Sequence, residues 1–418
     1  MTFPAPSTRT LRAGQIACSC PSTGADILDG GGGRGGLASM AAGFAFAVLS
    51  QILANTMLPL GGAFLSSDPS LATMPYAAFL VGAAAATFPA SLLLDAFGRR
   101  AAFALGASLG AAGGLTILWA LAHHQFFTFV LGAFWLGIAN GFSLFYRHAA
   151  AMLAPGRPAA AIAVVFGSAA AAGLLAPTLA ALAEQIAAPH LFAGLAGLST
   201  IAQLCALIAA MRLPPRTSPL EHIPIGLNPS NRQEYARAFD SGAISDRSHD
   251  FMRSESALEH QVAPNRPLDW RVFACASIAG GLAWFAMAAL MAAAPLAMAG
   301  CGFASTIVVG AIAWHVVAMY APTLIFARLP SGLAPAWPAF AGAIVVALAA
   351  ALFRFSTTPA SFSASLVLLG IGWSFATTGA TLWIHRGGHP GPWVLPAHDF
   401  ILFASAVAGA VFAGRIVF

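Results

Sequence analysis

Lysine is absent. All nineteen cations are arginine, only fourteen acids accompany them, and charged residues make up 8% of the 418 positions. So little charge cannot cover the surface of a water-soluble chain of this length, and 59% hydrophobic residues with a mean hydropathy of +0.79 exclude one. A formal net charge of +5 would suggest nucleic acid or another acidic partner for a soluble protein. Here the arginines lie between apolar runs, so their sign reports topology and no nucleic-acid partner is expected. Cysteine is scarce too. Cys18, Cys20, Cys205, Cys275 and Cys301 form one short Cys-x-Cys and no disulfide or zinc spacing, so they read as unpaired small hydrophobes. The run Gly30 to Gly33 has no strand before it and no Gly-Lys-Ser/Thr after it, which excludes a phosphate cradle. His385 and His389 have the i, i+4 spacing of a helical metal pair, but Gly387, Gly388 and Pro390 break that helix. With no Ser/His/Asp set either, no enzyme, cofactor or metal is expected.

What the chain has in abundance is apolar stretches of about twenty residues, each long enough to cross roughly 30 Å of hydrocarbon as helix. They fall at 38–60, 71–94, 101–122, 126–146, 159–182 and 190–211, then after a polar interval at 271–295, 304–327, 334–353, 361–384 and 396–416. The organisation this implies is a disordered cytoplasmic tail over 1–36, a six-helix half over 37–212, a cytoplasmic linker over 213–270 and a second half with five helices over 271–418. Within the linker, Asn231 to Phe239 reads either as a short amphipathic helix on the inner leaflet or as plain disordered chain. With the amino terminus inside, every arginine except Arg354 and Arg415 falls on the cytoplasmic side. The expectation is a multi-pass protein of the cell's inner membrane, in contact with the lipid bilayer and monomeric.

Between the second and third apolar stretches lies Ser91 to Arg100, SLLLDAFGRR. Asp95 followed by Gly98, Arg99 and Arg100 resembles the loop signature of the major facilitator superfamily, with Ser91 in place of its opening glycine and Ala96 where an arginine usually follows the acid. A glycine permits the tight turn there, and paired arginines remain in headgroup water. The resemblance implies an all-α membrane fold of two six-helix halves, here with the twelfth helix missing and eleven transmembrane helices. It also implies a conformational latch at Asp95, Gly98, Arg99 and Arg100. Tyr146-Arg147 and the segment Trp314 to Pro322, WHVVAMYAP, are similar to bacterial members of the same superfamily. The second-half counterpart of the loop is reduced to fragments in Arg328 to Gly332.

In that superfamily helices 1, 4, 7 and 10 line a central cavity, which makes Gln51, Asn55 and Asn140 substrate contacts or interhelical hydrogen-bonding groups. Trp284 and Trp373, with Trp314, are aromatics that could contact an amphipathic solute or serve packing. His315, twelve residues into the eighth stretch, is the one ionisable group at a midplane. If transport is coupled to protons it is the expected carrier; otherwise it is a neutral imidazole bonded to a neighbouring helix. Asp399, in the first turns of the last stretch, reads as a structural acid favoured by the helix dipole. The lack of a midplane carboxylate points to a neutral or weakly anionic solute.

The resemblance therefore implies secondary transport of a small organic solute by alternating access. The small residues of the fifth stretch, with Ala163, Ala172, Ala176 and Ala180 where facilitator antiporters have glycine, lean towards efflux. The alternative is a membrane protein that keeps the fold without transporting, as sensor, assembly partner or decayed carrier.

Overall fold

The computed structural model describes residues 31–146, 149–150, 158–214, 269–326, 336–385 and 394–416. The proposed tail up to residue 30, nearly all of the linker with its Asn231 to Phe239 segment, Arg147, Arg328 to Gly332 and the interval from Arg386 to Trp393 lie outside the described residues. All regular structure described is helical. In chain order the helices are α1 Gly31–Leu65, α2 Met74–Ala122, α3 Phe126–Ser143, α4 Pro158–Ala187, α5 Ala193–Met211, α6 Trp270–Gly300, α7 Ser305–Phe326, α8 Ala336–Arg354, α9 Pro359–His385 and α10 Val394–Ile416. A short 3₁₀ turn, Pro69–Leu71, precedes α2 and is started by Asp68, which accepts from the Ser70 N–H at 2.9 Å.

Helix α2 is two membrane spans in one. Gly98, at φ 80° and ψ 174°, breaks it into the spans Pro69–Leu94 and Ala96–Ala122. That backbone conformation is essentially restricted to glycine, so the chain reverses where the residue without a Cβ stands. Ten described helices are long and apolar enough to cross a membrane, and Ala397–Ala413 is a shorter apolar one. The chain is a multi-pass membrane protein.

Ends are fixed by side chains that hydropathy does not mark. Asp269 caps α6 by accepting from the Arg271 and Val272 N–H groups at 2.9 and 3.4 Å. Helix α4 runs past the expected 182 to Ala187 and so takes in Glu184. The Glu184 carboxylate accepts from the Phe192 and Leu195 N–H groups at 3.3 and 2.9 Å, which caps α5 from the neighbouring helix.

Small residues let the backbones approach. A Cβ on Gly113 would lie 2.8 Å from the Gly132 carbonyl oxygen, and one on Gly342 would lie 2.5 Å from that of Gly372. The first contact joins the third and fourth spans, and the second joins α8 to α9. The same close crossing is therefore built once in each part of the bundle. Between the two parts, α4 packs along α7, the first span of α2 along α10, and α1 against α6 and α7. At the end of the helices away from Arg99, Arg100, Arg212 and Arg271, Leu60, Ala72 and Leu296 pack together with Phe192 against them. Towards the arginine-bearing end a cleft separates the parts.

Candidate functional site

Hydrocarbon offers no partner for a polar group, so the polar side chains that line space inside a bundle mark where a solute could sit. The cleft is lined by Thr87 and by Gly141, Leu144 and Phe145 from one part. Trp284, Trp373, Thr377, Thr381, Asp399, Leu402 and Phe403 line it from the other. It encloses about 580 Å³ including its open mouth, and is narrow between the rings. All of these residues lie in the middle of their helices or towards the arginine-bearing end.

Its deep tier is aromatic. Trp284 on α6 meets Trp373 on α9 with ring centroids 5.3 Å apart, tilted by 55°, and Phe403 on α10 at 5.0 Å, edge to face at 67°. These are ordinary separations for attractive ring pairs. The Trp284 Nε1–H donates to the Thr377 hydroxyl at 3.1 Å. The Trp373 Nε1 is buried and has no hydrogen-bond partner among the described residues. An unmet buried donor costs about 1–3 kcal/mol.

The mouth tier is polar. Thr377 and Thr381 follow Trp373 along α9, and the Thr381 hydroxyl donates to the Thr377 carbonyl at 2.9 Å, leaving its lone pairs for another donor. Asp399 stands on α10 one turn nearer the mouth than Phe403. Its neighbour His398 faces the other way: it is 1% exposed, and its Nδ1 is hydrogen-bonded to the Ser277 hydroxyl of α6 at 2.9 Å. That bond fixes the rotation of α10 and turns Asp399, half-buried, into the cleft. Asp399, read from the sequence as a structural acid, is among the residues that line the cleft.

The family model of the Major Facilitator Superfamily matches residues 36–391. The chain belongs to this superfamily. A riboflavin transporter of Brucella anthropi, RfnT, is 29% identical to this facilitator over 365 residues, which are 85% of this chain and 82% of that protein. Among solved structures, a transporter of the POT family in complex with 5-aminolevulinic acid superposes with a TM-score of 0.64 at 14% identity, covering 91% of this chain and 90% of that one. The xylose transporter XylE from E. coli, in a partially occluded inward-open conformation, gives 0.59 at 15% identity over 92% and 93%. The human organic anion transporter MFSD10 gives 0.58 at 14% identity over the same shares. At such identities the structures show a shared fold, and the fold is that of the superfamily.

The facilitator brings some of the expected site residues together and leaves others apart. Trp284 and Trp373 meet in the cleft. Gln51 and Asn140 are half-buried and outside its lining, and Asn55 is buried with its Oδ1 lacking a partner among the described residues. The serine and glutamine near them are tied up: Ser50 bonds Ser199 at 2.8 Å, and the Gln203 amide donates to Ser50 at 3.0 Å, which joins α1 to α5. Gly98 makes the turn between the second and third spans, and Arg99 and Arg100 stand half-buried at its start; the Asp95 side chain lies outside the described ones. His315 is 1% exposed and its Nδ1 lies 2.7 Å from the Leu366 carbonyl of α9. A carbonyl can only accept, so Nδ1 carries the proton and Nε2 presents a buried lone pair with no partner among the described residues. Sequence reasoning missed Thr377, Thr381, Phe145 and Phe403. Only the spacing of Thr377 and Thr381 from Trp373 and of Phe403 from Asp399, at one or two helical turns, could have drawn attention to them; Phe145 carried no such signal.

Proposed function

We propose that this facilitator is a secondary transporter that carries a small planar organic solute across the inner membrane by alternating access, with the inter-part cleft as its binding site. The observation that carries the reading is the aromatic tier, in which Trp284 meets Trp373 and Phe403 at ring separations of 5.3 and 5.0 Å, together with the buried Trp373 N–H that has no partner among the described residues. A flat ring system with carbonyl or ring-nitrogen acceptors suits both features: it stacks, and it accepts the orphan hydrogen bond. Riboflavin, the solute named for the Brucella anthropi relative, has such a ring, and a flavin-like solute is the class we propose. The distribution of arginine supports a cytoplasmic amino terminus, and with it a cleft that opens inward.

The test is flux of labelled riboflavin into proteoliposomes, with a panel of sugars, peptides and organic anions as competitors, each with and without a pH gradient. Saturable flavin flux, inhibited by flat heterocycles and indifferent to sugars, is the expected result. Trp373→Ala removes a ring contact worth about 0.5–1.5 kcal/mol, so apparent affinity falls roughly three- to tenfold with insertion unchanged. Unaltered affinity would move the site elsewhere. A secondary carrier runs as its gradients dictate, so the lean to export is tested in vesicles of opposite orientation. Export requires that an imposed gradient drive flavin out of the cytoplasmic face faster than it drives flavin in.

A further inference from the structure

We infer that Asp399 is the specificity-determining residue of the cleft, and that it selects solutes whose flat ring bears a tail rich in hydroxyl or amine donors. The inference rests on the transport reading above and names what the polar tier of the same site is for.

Two helices build the tiers in parallel. On α9, Trp373 is followed at four and eight residues by Thr377 and Thr381; on α10, Phe403 is preceded at four residues by Asp399. Since α9 runs towards the arginine-bearing end and α10 runs away from it, both sequences pass from ring to polar group in the same direction. Four residues of helix rise about 6 Å. A ring held between Trp284, Trp373 and Phe403 therefore has Asp399 about 6 Å further out, the reach of a tail of four or five carbons. A carboxylate only accepts hydrogen bonds, and its two oxygens offer about four lone-pair positions, so one neighbour does not exhaust what it can take from a tail. The bond from His398 to Ser277 holds the helix in the rotation that aims Asp399 there. Carbon tails without donors gain nothing from this group, and tails ending in acceptors alone set acceptor against acceptor.

The experiment measures binding of two flavins to the purified full-length protein by quenching of flavin fluorescence. Riboflavin carries a five-carbon polyol; lumiflavin has the same ring with a methyl group instead. The wild-type protein is expected to prefer riboflavin by about tenfold or more, the worth of one or two hydrogen bonds to a charged acceptor. Asp399→Ala removes that preference while lumiflavin affinity stays within about twofold, and this retained binding shows that the cleft is still folded. Asp399→Asn keeps one acceptor oxygen and the shape, so it gives an intermediate ratio, and it carries the comparison alone if the alanine variant does not insert. A loss of affinity equal for both flavins would make Asp399 structural and overturn the inference. So would a wild-type protein that binds both flavins equally, although that result leaves the aromatic site standing. Binding of neither flavin overturns the flavin reading and this inference together.

Discussion

A histidine ring whose two nitrogens have unequal fates is the sharpest residue-scale feature outside the cleft. His315 donates from Nδ1 to the Leu366 carbonyl and leaves Nε2 as a buried acceptor without a partner among the described residues. Burial of an unmatched acceptor is costly, and histidine titrates near neutral pH in water, so a site that keeps such a nitrogen has a use for it or a neighbour that reaches it in another state. If transport is coupled to protons, Nε2 is the atom that takes one up. The expected outcome for His315→Gln is flux that persists but no longer responds to an imposed pH gradient, since the amide keeps a donor for Leu366 and cannot titrate. Full retention of the gradient dependence would remove His315 from coupling. What the sequence told of this residue was its depth, because counting from the start of a span gives depth directly. The direction of its ring and the identity of its acceptor depend on how α9 lies against α7. Gly370 sets that approach: a Cβ there would lie 2.5 Å from the His315 carbonyl oxygen.

At the scale of elements, the spans were legible because twenty apolar residues leave little choice in a bilayer. The faces were not. Several helices are apolar nearly all round, Trp314 is exposed while His315 beside it is buried, and no amphipathic stripe announces which side of α10 meets the cleft. For that reason Asp399 was visible as an acid in a helix but not as a lining residue. The reversal at Gly98 was legible by contrast, since a glycine followed by two arginines after a long apolar run is itself turn chemistry. It can be tested against a second glycine. At Gly98, φ 80° excludes an L side chain without strain of about 1–3 kcal/mol. At Gly310, in the second turn of α7, a Cβ would meet nothing within 4 Å. Gly98→Ala is therefore expected to lower the melting temperature in detergent measurably, and Gly310→Ala to leave it unchanged or raise it, as alanine is the better helix former. Equal effects of the two would mean that the break in α2 does not require its glycine.

For the molecule as a whole, the informative asymmetry lies between the two ends of the bundle. Leu60, Ala72, Leu296 and Phe192 close the end remote from the arginines, while the cleft occupies the other. Packed interfaces are bistable, so a carrier of this architecture exposes its site to the far side by separating that closed end and bringing the cleft's mouth together. The cluster that would have to separate is apolar, as expected of an interface that must open within each cycle. Leu60 on α1 and Leu296 on α6 belong to different parts of the bundle and are each 8% exposed within one cluster. Replacing both by cysteine, in a chain whose own cysteines are changed to serine, allows a short bifunctional maleimide to tie that end shut. The tied protein should bind solute from the arginine-bearing side with nearly unchanged affinity, because the cleft is already open there, while net flux falls to the level of empty liposomes. Cleaving a reducible version of the linker should restore flux. Flux that survives complete cross-linking would mean that the closed end does not open during transport and that the solute takes another route through the bundle.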